Sequence, residues 1–208
     1  MLYCFLKEVN MRKRAFTMVE LLIVIVVVGI LAVTIVPRLE SDPLRQAVDQ
    51  VVRHIAYTQH MAMVNDIYRT DTPIWFKAMW RISFRVKNCY LVSSNSDLDM
   101  NYDREESVMD PLTRVLLYSN SKCRKESTDS SIMFLEDTFD IDKIVFEPAC
   151  GDNRFIAFDN FGRPHRSLKR LDDYLKSDCL ITFYSKGRKG VITIRPETGY
   201  VTSYVEPE

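Results

Sequence analysis

The sequence predicts an α+β fold in which a long N-terminal helix, one half apolar and the other amphipathic, packs on an antiparallel β-sheet domain. Three observations predict it. Residues 16–36 form a nearly unbroken apolar run, residues 44–63 carry apolar side chains at helical spacing, and beyond residue 73 the apolar period shortens from 3.6 to 2. With 208 residues, 47% of them hydrophobic, the chain can supply one anchor segment and one ordinary domain, not two large domains.

The apolar run reads F-T-M-V-E-L-L-I-V-I-V-V-V-G-I-L-A-V-T-I-V, with only Thr17, Glu20 and Thr34 polar. A helix over its 21 residues would span ~31 Å, the thickness of a bilayer core, so 16–36 is expected to be a transmembrane helix. Lys7, Arg12, Lys13 and Arg14 precede the run against Glu8 alone, whereas Arg38, Glu40 and Asp42 after it are mixed in sign. The positive-inside rule therefore leaves the N-terminus in the cytoplasm and exports everything beyond about residue 40. A cleaved secretory signal has a shorter core and an A-x-A-like site, which V-P-R-L-E-S-D does not offer; an uncleaved signal anchor is the alternative these residues leave open.

Glu20 breaks the pattern. A charged group near the centre of a membrane helix costs ~2.5–3.5 kcal/mol, so this carboxylate needs a partner or a position at the headgroups. A cut before Phe16 would create an amino group four residues away. In an assembly that group could pair with Glu20 of a neighbouring subunit, favouring the assembled state over the free one.

The stretch K-R-A-F-T-M-V-E-L-L-I-V-I-V-V-V-G-I-L-A-V-T-I-V-P resembles the class III signal of type IV pilins and type II secretion pseudopilins. The resemblance implies cleavage by a prepilin peptidase between Ala15 and Phe16, N-methylation of Phe16, and an assembly role for Glu20, with Gly29 and Pro37 as the helix glycine and proline. Ala15 stands where such signals usually have glycine. Residues 1–15 are then a leader, and Met11 is a second candidate start. The implied partners are other pilins or pseudopilins in a filament, the peptidase and the bacterial inner membrane. The domain would be periplasmic, or extracellular in a surface pilus.

Residues 37–70 are expected to continue the helix beyond the membrane. Leu44, Val48, Val51, Val52, Ile55, Ala56, Ala62 and Met63 make its apolar stripe, and Pro37 and Pro43 are expected to kink it. His54 and His60, six residues apart, fall on different faces and make no metal pair. Residues 71–208 read as a β-rich globular domain. Its clearest strand is W-R-I-S-F-R-V over 80–86, followed by runs at 115–118, 132–135, 143–146, 155–158, 180–184, 191–195 and 200–204. Residues 93–104 and 119–131 read as polar loops. I-A-F-D-N-F-G-R-P and V-I-T-I-R-P-E-T-G-Y-V resemble the closing hairpins of the GspH/FimT-like branch of minor pilins.

Cys89, Cys123, Cys150 and Cys179 follow the proposed cut at spacings of 34, 27 and 29 residues, unlike paired zinc ligands. In an oxidising compartment they would form disulfides, with three pairings open. Asp97, Asp99, Asn101 and Asp103 alternate as at the start of a calcium loop, but Tyr102 stands where glycine is required and Val108 where the closing glutamate belongs, so a solvated loop is the default. The chain lacks G-x-S-x-G, H-E-x-x-H and phosphate-binding loops. No enzyme, metal or cofactor is expected. The run R-P-H-R-S-L-K-R, with Arg163, Arg166, Lys169 and Arg170, is the candidate polyanion contact, diluted by Asp172 and Asp173.

The expected function is a minor subunit of a type IV pilus or a type II secretion pseudopilus. The alternatives are an uncleaved, signal-anchored periplasmic binding domain and a DNA-receptor minor pilin.

Overall fold

Thr17 opens helix α1 (Met18–Ile35), its hydroxyl accepting the Glu20 N–H at 3.2 Å. This is half of a T-x-x-E capping box, and it puts Glu20 in the first turn, where the positive end of the helix dipole favours a carboxylate. The computed structural model describes residues 17–35, 42–99, 101–126 and 129–207, with α1 in one unit and the residues from Asp42 onward in another. The large apolar side chains of α1 from Met18 to Leu31 are exposed, as an all-round apolar sequence requires. At 18 residues α1 is ~27 Å long against a hydrocarbon core of ~30 Å. Among the described residues no helix is long and apolar enough to cross a membrane. Phe16 and Val36, the ends of the expected 16–36 span, lie outside the described residues, as does Pro37.

The second unit begins at helix α2 (Pro43–Val64), shorter than the expected 37–70. Asp42 caps it by accepting the Arg45 N–H at 3.2 Å. Pro43, expected at a kink, takes the first turn, where a missing N–H breaks no helical bond. Arg188 holds the same Asp42 carboxylate with two bonds, of 2.8 and 3.2 Å, and donates to the Glu206 carbonyl at 2.6 Å. The start of α2 is thereby tied to the sheet behind it, and the hydrogen bond from Arg188 outweighs burial to hold the Asp42 carboxyl below its usual range.

Two antiparallel sheets follow. One has the order β2 (Tyr90–Ser93), β1 (Arg81–Phe84), β4 (Phe155–Phe158), β5 (Pro164–His165); the other runs β3 (Lys143–Phe146), β6 (Cys179–Ser185), β7 (Arg188–Ile194), β8 (Val201–Val205). Six of the eight expected strands form. Residues 115–118 make only an isolated bridge, Met109 to Leu116, and 132–135 fold into a short turn of helix followed by α3 (Leu135–Phe139). Strands β2 and β5 were not expected. Tyr90–Ser93 is buried along its whole length, so it shows no alternation, and β5 has only two residues.

Helix α2 packs across β7 and β8 and reaches β1, β4 and β6. Its buried face comprises Leu44, Ala47, Val48, Val51, His54, Ile55, Thr58 and Ala62, whereas Ala56 and Met63 of the expected stripe are exposed. Close approach requires Gly190 on β7, since a Cβ there would lie 2.6 Å from Val48 Cγ2. At the far end, Gln59 Nε2 donates to the carbonyls of Gly162 and Thr198, each at 2.8 Å. One side chain thus fastens both hairpin turns seen in the sequence.

His54 is the polar member of this core. Its Nδ1 lies 2.8 Å from the Tyr90 hydroxyl and its Nε2 2.7 Å from Gln50 Nε2, so Gln50 donates to Nε2 and Nδ1–H donates to Tyr90. Burial pushes the imidazole down to about 4, with Asp110 pulling it up and Arg53 pushing it down. Between pH 6.5 and about 4 the unfolded chain therefore binds a proton that the folded chain refuses, and stability falls with pH across that window. Urea unfolding should show about 2 kcal/mol less stability at pH 5 than at pH 7, and His54→Gln should flatten that slope. An unchanged slope in the variant would assign it to other groups.

Candidate functional site

The N-terminal segment holds the residues expected to serve processing and assembly. Ala15 and Phe16 lie outside the described residues; Thr17, Glu20 and the apolar surface of α1 lie within them. Thr17 caps helix α1, whose first residue is Met18. Glu20 is exposed and one turn from that end. The sequence reading treated it as a charge inside the apolar run, and the T-x-x-E signature, readable but not read, marks it as a first-turn residue. Its chemistry is that of an acceptor at the rim of an apolar rod.

Residues 10–36 match the prokaryotic N-terminal methylation motif. The chain therefore carries a type IV pilin-like signal, which points to a structural protein rather than an enzyme. The match spans the proposed cut, Glu20 and the apolar run, and stops before the second unit. No curated protein and no solved structure matches the chain.

In the second unit the cysteines pair as Cys89–Cys123 and Cys150–Cys179, with Cα separations of 5.8 and 4.7 Å. Cys150–Cys179 joins the turn after β3 to the start of β6, closing the excursion through β4 and β5 into the other sheet. Cys89–Cys123 fastens the long connection after β2 back to its root. Bridges of this kind belong to an oxidising compartment, consistent with an exported domain.

The basic run is largely spent on local pairs. Arg163 Nε donates to Asp159 at 2.7 Å, and Arg170 donates twice to Asp172, at 2.6 and 2.9 Å. Arg166 and Lys169 are exposed with no ion pair among the described residues, and Asp152 and Asp173 line the same groove. Asp159 is the turn residue of F-D-N-F-G-R-P. Burial pushes its carboxyl up, but His165 Nε2 at 3.5 Å and the bonds from the N–H and guanidinium of Arg163 and from the Phe161 N–H together hold it down at about 2. Its role is to lock the turn and anchor Arg163.

The acidic loop brings carboxylate oxygens of Asp97, Asp99 and Asp103 within 4.8 Å of one another, all exposed. Asp97 accepts the Asp99 N–H at 3.1 Å, and Asp99 accepts from the N–H and amide of Asn101 at 2.7 and 2.8 Å. These bonds order the loop itself. His60 is exposed and away from buried His54, on a different face of α2.

Proposed function

We propose that this protein is a minor subunit of a type IV pilus or a type II secretion pseudopilus, in the GspH/FimT-like branch. The observation that carries the reading is the methylation motif over residues 10–36, within which Glu20 stands in the first turn of the otherwise apolar start of helix α1. In this reading prepilin peptidase cuts between Ala15 and Phe16, the new amino group is methylated, and residues 16–36 anchor the chain in the inner membrane. The N-terminus is cytoplasmic before cutting and the domain from Asp42 onward is periplasmic, or extracellular in a surface pilus.

Assembly follows from the physics of the segment. A helix apolar on every side has lipid or neighbouring helices as its partners, and a filament core offers the latter. The cationic terminus at Phe16 and the Glu20 carboxylate of a neighbour neutralise one another there, which neither can do alone in an apolar medium. The two disulfides support the periplasmic location.

Mass spectrometry of the membrane-extracted protein, from cells with and without their prepilin peptidase, tests the reading. The expected result is a methylated Phe16 N-terminus that is lost without the peptidase. An intact N-terminus in both strains would instead establish the uncleaved, signal-anchored domain.

A further inference from the structure

A cleft of about 330 Å³ opens on the face of the β2-β1-β4-β5 sheet, away from the turns that Gln59 fastens. Its floor is Arg81, the first residue of β1 and only 6% exposed. The guanidinium carbon lies 4.7 Å from the centroid of the Tyr102 ring and 5.9 Å from that of Phe155, so aromatic faces flank the charge. Among the described residues no carboxylate bonds to it, and its buried Nε has no hydrogen-bond partner. Glu106 acts on it through space without a hydrogen bond; Glu106 Oε1 accepts from the N–H and hydroxyl of Ser96, at 2.6 and 3.1 Å, and its buried Oε2 has no hydrogen-bond partner. An ion left unpaired at this depth costs several kcal/mol, and an anion entering the cleft would recover that cost.

Two further features describe what would enter. Lys77 and Lys169 line the same cleft and no acidic residue does, so its lining is cationic, with Glu106 acting on Arg81 from outside it and Asp152 and Asp173 in the adjoining groove. Asn95, 1% exposed, lines it with a buried Oδ1 that accepts no hydrogen bond, a position that calls for a donor such as a hydroxyl. Asn153 and Ser167 add polar contacts, and Tyr102, Phe155 and Leu168 supply apolar wall. The volume suits a small molecule rather than a polymer.

We propose that this cleft binds an acidic sugar, its anionic group on Arg81 with Lys77 and Lys169 at the rim, a hydroxyl donating to Asn95, and its ring against Tyr102 and Phe155. This function is additional to filament assembly and independent of it. Lys169, read from the sequence as part of a polyanion run, serves here beside two cations that lie far from it in the chain.

Isothermal titration of the full chain, disulfides intact and in a non-ionic detergent at low salt, tests the site with four probes: glucuronate, glucose 6-phosphate, inorganic phosphate and glucose. One of the two acidic sugars should bind saturably, one per chain, at least tenfold more tightly than inorganic phosphate or glucose. Whichever binds more tightly identifies carboxylate or phosphate as the head group. Arg81→Gln should weaken binding at least thirtyfold. Lys169→Glu, at an exposed position that leaves folding alone, should weaken it about tenfold and keeps the test decisive if the Arg81 variant does not fold. No saturable heat from either sugar, inorganic phosphate binding as tightly as both, or full affinity in Lys169→Glu would overturn the proposal.

Discussion

Glu20→Gln is expected to leave the protein in the membrane with its N-terminus processed, yet reduce its recovery in sheared or sedimented filaments by two orders of magnitude or more. Breaking one side of a buried ion pair costs about 3–5 kcal/mol because the abandoned charge remains buried. At 1.4 kcal/mol per tenfold that is roughly 10² to 10³ or more in each subunit contact. Glutamine is the informative replacement, since it can still serve the first turn of a capped helix and removes only the charge. The contrasting variant is Thr17→Ala, which deletes the bond to the Glu20 N–H and should cost only about 1 kcal/mol of helix stability. If Glu20 merely favoured the helix dipole, its loss would be worth some 0.3–1 kcal/mol and both variants would assemble alike. Wild-type filament yield from Glu20→Gln would therefore remove the pairing mechanism while leaving the processing signal untouched.

The second large effect concerns the two bridges of the second unit. Cys89–Cys123 closes 34 residues of chain and Cys150–Cys179 closes 29. The chain-entropy model assigns about 4 kcal/mol to each loop of this size. For a domain of this length that corresponds to a fall in Tm of ~8–15 °C when either pair is replaced by serine. Calorimetry of each serine pair, with and without reductant, separates the two contributions. Each variant should melt well below wild type, and reductant should lower only what the remaining bridge holds. The loss of Cys150–Cys179 should also loosen β4 and β5 against the second sheet, read as faster amide exchange at Phe155–Phe158. Coincident melting of oxidised and reduced wild type would show that the thiols are unpaired in the protein as isolated.

Much of the architecture was legible in local pattern. The strand over 80–86 alternates in sequence, although β1 is buried along its whole length, Arg81 and Ser83 included, and the runs that became β6 and β7 alternate in burial as well. Where alternation fails, so did the reading. Y-L-V-S at Tyr90–Ser93 carries no alternation of apolar and polar residues, and the apolar run at 132–135 is too short to tell strand from helix. On α2 the apolar stripe identified the helix but not its full buried face, because His54 and Thr58 are buried by hydrogen bonding, His54 to Tyr90 and Thr58 to the His54 carbonyl at 2.6 Å. Hydropathy does not register that kind of burial. The Thr17–Glu20 cap could have been read directly from its spacing.

By itself the sequence determined the pilin-like signal, the two helical segments and most strands, since each depends on residues within a few positions of one another and on their spacing. Only the tertiary structure decided which cysteines pair, that Arg163 and Arg170 are already spent on aspartates, and that Arg81, Asn95, Tyr102 and Lys169 meet around one cleft. Those outcomes depend on contacts between segments far apart in the chain, whose geometry is set by the sheets and bridges between them and not by local pattern.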